Sequence, residues 1–131
     1  MKRILIFSSE FPPGPGGIAT HAYHLAKYFM RRGILVLVLT SQDYAEDDAV
    51  AAFNSEQDFK IERLPSGPFK LTQAIKRFFI VWETIRWFNP TMVIASGGRT
   101  AWVSALLLMW SKTPWVLVGH GTEFNRERFL N

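Results

Sequence analysis

The stretch "FPPGPGGIATHAYHLAKYFMRRGILVLVLT", residues 11–40, runs from a loop crowded with proline and glycine into an amphipathic helix and then into an unbroken apolar segment. Ile18, Ala22, Leu25, Ala26 and Phe29 recur at helical spacing, and Gly33 stands where a helix C-terminal stop belongs. In ILVLVLT (residues 34–40), apolar side chains fill the first six positions. Apolar character without alternation predicts a strand covered on both faces, as in a parallel sheet.

The same reading extends outward. RILIFS (residues 3–8) is a short strand before the loop, and TMVIAS (91–96) and PWVLVGH (114–120) are strands further on. FKIERLP (59–65) alternates, which predicts a strand nearer a sheet edge. AEDDAVAAF (45–53) is a helix candidate with a solvated acidic first turn. KLTQAIKRFFIVWETIRWF (70–88) is a long helix ended by Asn89-Pro90, with Leu71, Ile75, Phe78, Phe79, Trp82 and Ile85 expected to face the sheet. RTAWVSALLLMWSK (99–112) is apolar nearly all round and is expected to be well buried. Strands alternating with helices imply βαβ units with right-handed crossovers. The fold class is therefore α/β: a Rossmann-like doubly wound parallel sheet of about five strands, in a single incomplete domain spanning residues 1–131.

Composition narrows the classes. A chain of 131 residues with 48% hydrophobic content is a globular domain with a sizeable core. There are no cysteines, which excludes disulfides, thiolate metal sites and a cysteine nucleophile, and suits a reducing compartment. The apolar run in MKRILIFSSE is too short for a signal peptide, and AWVSALLLMW (101–110) falls short of a bilayer span. A net charge of +4, from 15 Lys and Arg against 11 Asp and Glu, mildly favours anionic partners.

In an open α/β sheet, ligands bind at the carboxyl ends of the strands, and a helix N-terminus there offers unpaired amides to a phosphate. Gly16 and Gly17 lack Cβ atoms and would let a phosphate touch the backbone, with Thr20 and His21 following in the first turns. A plain turn stiffened by prolines is the other reading, and the loop alone leaves both open. Gly14-x-Gly16-x-x-Ala19 also fits a dinucleotide fingerprint, with Asp43 beyond the second strand. That fingerprint's first glycine should follow the strand directly, whereas SEFPP intervenes here.

The segment resembles the start of the nucleotide-sugar-dependent glycosyltransferases with two Rossmann-like domains. More narrowly it is similar to the large retaining group of the GT-B fold (glycosyltransferase family 4-like). Gly16, Gly17, His21, Leu25, Ala26, Arg32, Gly33, Val36, Val38 and Thr40 fall on that pattern, while Ile34 stands where His is usual. WVLVGHGTEF resembles the family's fifth strand and the His-Gly after it, here His120 and Gly121.

The resemblance implies the acceptor-side, N-terminal half of a glycosyltransferase. Such an enzyme moves a sugar from a nucleoside-diphosphate sugar to a glycan, lipid or small-molecule acceptor. It implies that the Gly16-Gly17 loop approaches the donor diphosphate and that His120 reaches the transferred sugar as the catalytic residue. It also implies a C-terminal nucleotide-sugar-binding domain that this chain does not match, so the fragment alone is expected to be inactive. The partners are then the donor, the acceptor and that second domain.

Other residues carry two readings each. His120 either contacts a sugar hydroxyl or is satisfied by loop backbone, and Gly121 goes with it. Gly97, Gly98 and Arg99 after the fourth strand either leave room for an acceptor and meet a phosphate, or form a helix-capping turn. Glu123 either faces the cleft or is a solvated carboxylate. His21 either helps to hold an anion or packs under the loop, and His24 is expected on the exposed side.

His21 and His24 share a helical spacing without a third ligand, so no metal site is expected, and no cofactor is implied. No G-x-S-x-G elbow and no nucleic-acid-binding motif occurs. Trp87 and Phe88, with Lys70, Lys76, Arg77 and Arg86 nearby, suggest a peripheral contact with an anionic membrane. Ordinary core with a solvated basic face is the other reading. The expected localisation is cytoplasmic, peripheral at the inner membrane face if that contact is made. Two rival functions stand beside the first: a dinucleotide-binding oxidoreductase fragment, and a non-catalytic binding or assembly module.

Overall fold

The computed structural model describes residues 1–14, 16–41, 47–64, 70–97 and 111–119. Strands β1 (Arg3–Ser8), β2 (Leu35–Ser41), β3 (Lys60–Leu64), β4 (Met92–Ser96) and β5 (Trp115–Val118) form one sheet in the order β3-β2-β1-β4-β5. Every pairing is parallel. Helices α1 (Gly17–Arg31), α2 (Asp47–Ser55) and α3 (Lys70–Phe88) connect the first four strands. The order reverses direction between β1 and β4, which makes their carboxyl ends the switch point of the fold.

Apolar runs cover both faces of the central strands. Leu5, Phe7, Leu37, Leu39 and Val93 pack against Val81, Ile85 and Phe88 of α3. Ile4, Ile6, Val36, Val38 and Ile94 pack on the other face against Ala22 and Ala26 of α1. The buried side chains of α1 are all alanine (Ala19, Ala22 and Ala26), so its backbone can lie close to the sheet while Leu25 and Phe29 flank it half-buried. Gly33, at φ 77°, ends the helix in the left-handed conformation that glycine adopts most easily. β3 lies at an edge, as its alternation predicts. β5 holds the opposite edge, with Trp115, Val116 and Leu117 each 39–47% exposed.

Helix α3 meets the sheet with half of the expected residues: Phe78, Trp82 and Ile85 pack there as expected, and Leu71, Ile75 and Phe79 do not. Its buried line is Val81, Ile85 and Phe88, with Phe78 and Trp82 half-buried. Leu71, Ile75 and Phe79 are 77%, 51% and 58% exposed, so they are not core. They sit at i, i+4 and i+8 and share one side of the helix, turned away from the line that meets the sheet. Phe88 is buried and leaves Trp87 as the exposed aromatic at this end, with Lys60 Nζ 5.2 Å from its ring centre. The helix expected over residues 99–112 falls largely outside the described residues; Ser111 and Lys112 are not helical.

The alanine seam sets how closely α1 approaches β1 and β2. Ala22→Leu places a large side chain where none fits and is expected to cost about 1–3 kcal/mol. Urea unfolding followed by circular dichroism should show a lower midpoint with an unchanged slope.

Candidate functional site

The carboxyl edge of the sheet carries a polar row. By register, Arg63 on β3 lies beside Thr40 on β2, Thr40 beside Ser8 on β1, and Ser8 beside Ser96 on β4. Side chains alternate along a strand, so these four share a face with Ile61, Val38, Ile6 and Ile94, the face that α1 covers. Ser8, Thr40 and Ser96 are buried. The Thr40 hydroxyl has no hydrogen-bond partner among the described residues, and the Ser8 hydroxyl donates to the Glu10 carbonyl at 2.6 Å.

The two loops at the switch point touch. The Ser9 amide donates to the Ser96 carbonyl at 3.0 Å. Gly97 has φ 98°, and a Cβ there would fall 2.1 Å from Ser9 Oγ. Glycine at 97 is therefore required twice, by backbone conformation and by the press of the first loop. Gly16 has φ 116°, and a Cβ there would lie 2.9 Å from Glu10 Oε2, so the Glu10 carboxylate sits against the helix entrance.

Gly17 differs from both. It opens α1, it is exposed, and a Cβ built on it meets nothing within 4 Å. Nothing among the described residues requires a glycine at this position. No side chain caps the helix at Gly16, and Thr20 turns back, its hydroxyl bonding the Gly16 carbonyl at 3.0 Å. The first turn holds no acidic residue to neutralise the dipole. Chemically, the site offers backbone amides and open space at Gly17 at the positive end of the helix, with the Glu10 carboxylate beside Gly16 as a negative group that an incoming anion has to displace.

Among the sequence candidates, Gly16, Gly17, Thr20 and His21 stand together at the start of α1, and Gly97 lies against Ser9, at the beginning of the loop that leads to them. His21 is exposed in the second turn, so it does not pack under the loop. His24 is exposed, as expected. Gly98, Arg99, His120, Gly121 and Glu123 lie outside the described residues, as does Asp43. β5 runs parallel to the other strands, so its carboxyl end at Val118 is on the same sheet edge as Ser8. Among the described residues no group of His, Asp or Glu is arranged to hold a metal ion.

Sequence reasoning missed Glu10, Ser9 and Arg63. Arg63 donates to the carbonyls of Phe11 and Pro12 and to Asn54 Oδ1, and its guanidinium lies 5.7 Å from the Phe11 ring centre. Burial lowers its pKa from the ordinary arginine value. The available signal was position: Arg63 stands two residues after Ile61, on the apolar side of an alternating strand.

A family model described as a glycosyl transferase 4-like domain matches residues 16–130. No curated protein matches the chain at a significant level. Among solved structures, MurG of Acinetobacter baumannii superposes with a TM-score of 0.65 at 16% identity, covering 89% of this chain and 33% of that one. A glycosyltransferase from Rickettsia africae ESF-5 gives 0.64 at 18% identity, covering 88% of this chain and 29% of that one. These likenesses establish the fold. The chain spans about a third of the length of those proteins.

The different demands on the glycines can be measured. Gly17→Ala should leave the melting temperature within about a degree, because its Cβ enters open space. Gly97→Ala combines a left-handed backbone with a clash against Ser9, and should cost about 2–4 kcal/mol in thermal or urea unfolding.

Proposed function

The chain belongs to the glycosyl transferase 4-like domain family, and we propose that it forms the acceptor-side half of a retaining glycosyltransferase using a nucleoside-diphosphate sugar. The observation that carries this reading is Gly17, a glycine at a helix entrance at the switch point with no side-chain cap, where no described residue comes within 4 Å of its missing side chain. In this reading the donor diphosphate lies against Gly16 and Gly17, and the helix end stabilises the charge that collects on it. The acceptor oxygen bonds to the anomeric carbon as that carbon's bond to phosphate breaks. The electron pair leaves on the phosphate, which takes up the acceptor's proton.

His120 contacts the transferred sugar, with Gly121 and Glu123 beside it, and Gly97, Gly98 and Arg99 line the acceptor side. A second Rossmann-like domain holds the nucleotide, so the 131-residue chain alone transfers no sugar. No metal and no further cofactor takes part.

In the complete enzyme, Gly17→Val should lower kcat/KM for the donor by about a hundredfold while circular dichroism stays unchanged. His120→Ala should reduce turnover by a similar factor and spare nucleotide binding, because its partner is the sugar. A folded Gly17→Val enzyme at the parent rate would return the loop to a mere turn. Saturable NAD binding would favour the dinucleotide reading instead.

A peripheral contact of α3 with an anionic membrane belongs to the same proposal. Leu71, Ile75 and Phe79 form an exposed apolar line, with the exposed cations Lys76 and Arg86 on the same helix. No helix among the described residues is long and apolar enough to cross a membrane. Vesicles with anionic headgroups should retain the protein in a sedimentation assay, and salt should release it. Replacing Leu71, Ile75 and Phe79 together by serine should abolish retention, and equal retention by neutral vesicles would exclude the anionic contact.

A further inference from the structure

The loop between β1 and α1 has an unusual supply problem. Pro12, Pro13 and Pro15 have no backbone N–H, so at those positions the loop cannot be tied down by its own donors. There the chain can be held only through its carbonyls, by donors brought from elsewhere. Two side chains of the polar row supply them. The Ser8 hydroxyl takes the Glu10 carbonyl, and Arg63 takes the next two, donating from Nη1 to Phe11 O at 3.5 Å and from Nη2 to Pro12 O at 2.5 Å.

Nη2 also donates to Asn54 Oδ1 of α2 at 3.2 Å, which braces the guanidinium from the far side. Phe11 itself is buried among Tyr23, Phe53 and Phe59 in edge-on or tilted contacts. Arg63 therefore lies where the loop, the second helix and the edge strand meet. The Phe11 carbonyl also accepts the Gly14 amide at 3.2 Å, closing the turn that leads to Gly16 and Gly17.

We infer that Arg63 is the positioning residue of this site: its planar fork fixes the carbonyls of Phe11 and Pro12 and so sets where the Gly16-Gly17 amides stand. This role rests on the donor-loop reading only for its consequence in binding. Holding the loop is a separate property. Two consecutive carbonyls and an amide oxygen call for several donors in one plane, which arginine has. A lysine ammonium is a compact point charge on a different reach and cannot duplicate that fork. Charge alone should therefore not substitute.

The test uses the 131-residue chain with Arg63→Lys and Arg63→Met. Amide hydrogen exchange is measured without ligand, and binding of inorganic pyrophosphate is measured separately by calorimetry. Exchange at Gly14 should accelerate about tenfold or more in both variants, with Gly16 and Gly17 amide resonances shifted, while Leu5 and Leu37 keep their protection. Leu64→Ala, at a buried neighbour on the same strand, serves as the structural control. It should lower overall stability by at least as much and leave Gly14 exchange within about twofold.

Pyrophosphate affinity should fall about tenfold in both Arg63 variants, on the order of one loosened charge-assisted contact. Parent-like Gly14 exchange in Arg63→Met overturns the inference, and recovery in Arg63→Lys overturns the role of the fork. Faster Gly14 exchange in Leu64→Ala overturns it too, since general loosening would then explain the effect. Failure of the parent chain to bind pyrophosphate counts against the donor reading, while the exchange data still decide whether Arg63 holds the loop.

Discussion

The carboxyl edge depends on β1 lying at the centre of the sheet, paired in parallel with β2 on one side and β4 on the other. A strand bonded on both sides and covered on both faces has no freedom of register. Ser8 is therefore locked beside Thr40 and Ser96, and the chain leaves the sheet at a defined height. The Ser9 amide continues the pairing one step past the strand by bonding Ser96 O, so the loops after β1 and β4 start from a common point. The contact between Ser9 and Gly97 follows from that continuation, and so does the glycine at 97.

Much of this was legible in the sequence because it rests on periodicity. In the unbroken apolar run of residues 34–39, Val36 to Leu39 are covered on both faces while Leu35 stays exposed, and the alternating segment forms the edge strand β3. The α3 face was legible only for Phe78, Trp82 and Ile85, for an equally physical reason. A helix rich in aromatic and aliphatic residues has more than one apolar line, and periodicity alone does not say which line meets the sheet. Val81, Ile85 and Phe88 won the sheet, while Leu71, Ile75 and Phe79 did not.

The site was legible in part. In the sequence, Gly16 and Gly17 point to a phosphate or a plain turn and Gly97 to acceptor room or a capping turn, and what sets the three glycines apart emerges only in three dimensions. Gly16 and Gly97 have positive φ and close neighbours, so folding alone accounts for them. Gly17 has neither. A sequence cannot tell a glycine required by its own backbone from one that leaves room for something else, because both are written with the same letter.

The same limit hides Arg63 in the sequence, and physical chemistry shows how it can be narrowed. In KIERL, Lys60 and Glu62 alternate with Ile61 and Arg63. Lys60 and Glu62 form a salt bridge at 3.1 Å on one side of the strand, as ordinary edge charges do. Arg63 is on the other side, in line with an aliphatic residue, where a cation is costly unless its donors are used. Upstream, a loop with prolines at 12, 13 and 15 has carbonyls to spare and few amides to offer. A cation on the apolar parity of a strand and a donor-poor loop are complementary oddities, and each accounts for the other. Neither is informative by itself, which is why reading the chain segment by segment passed over both.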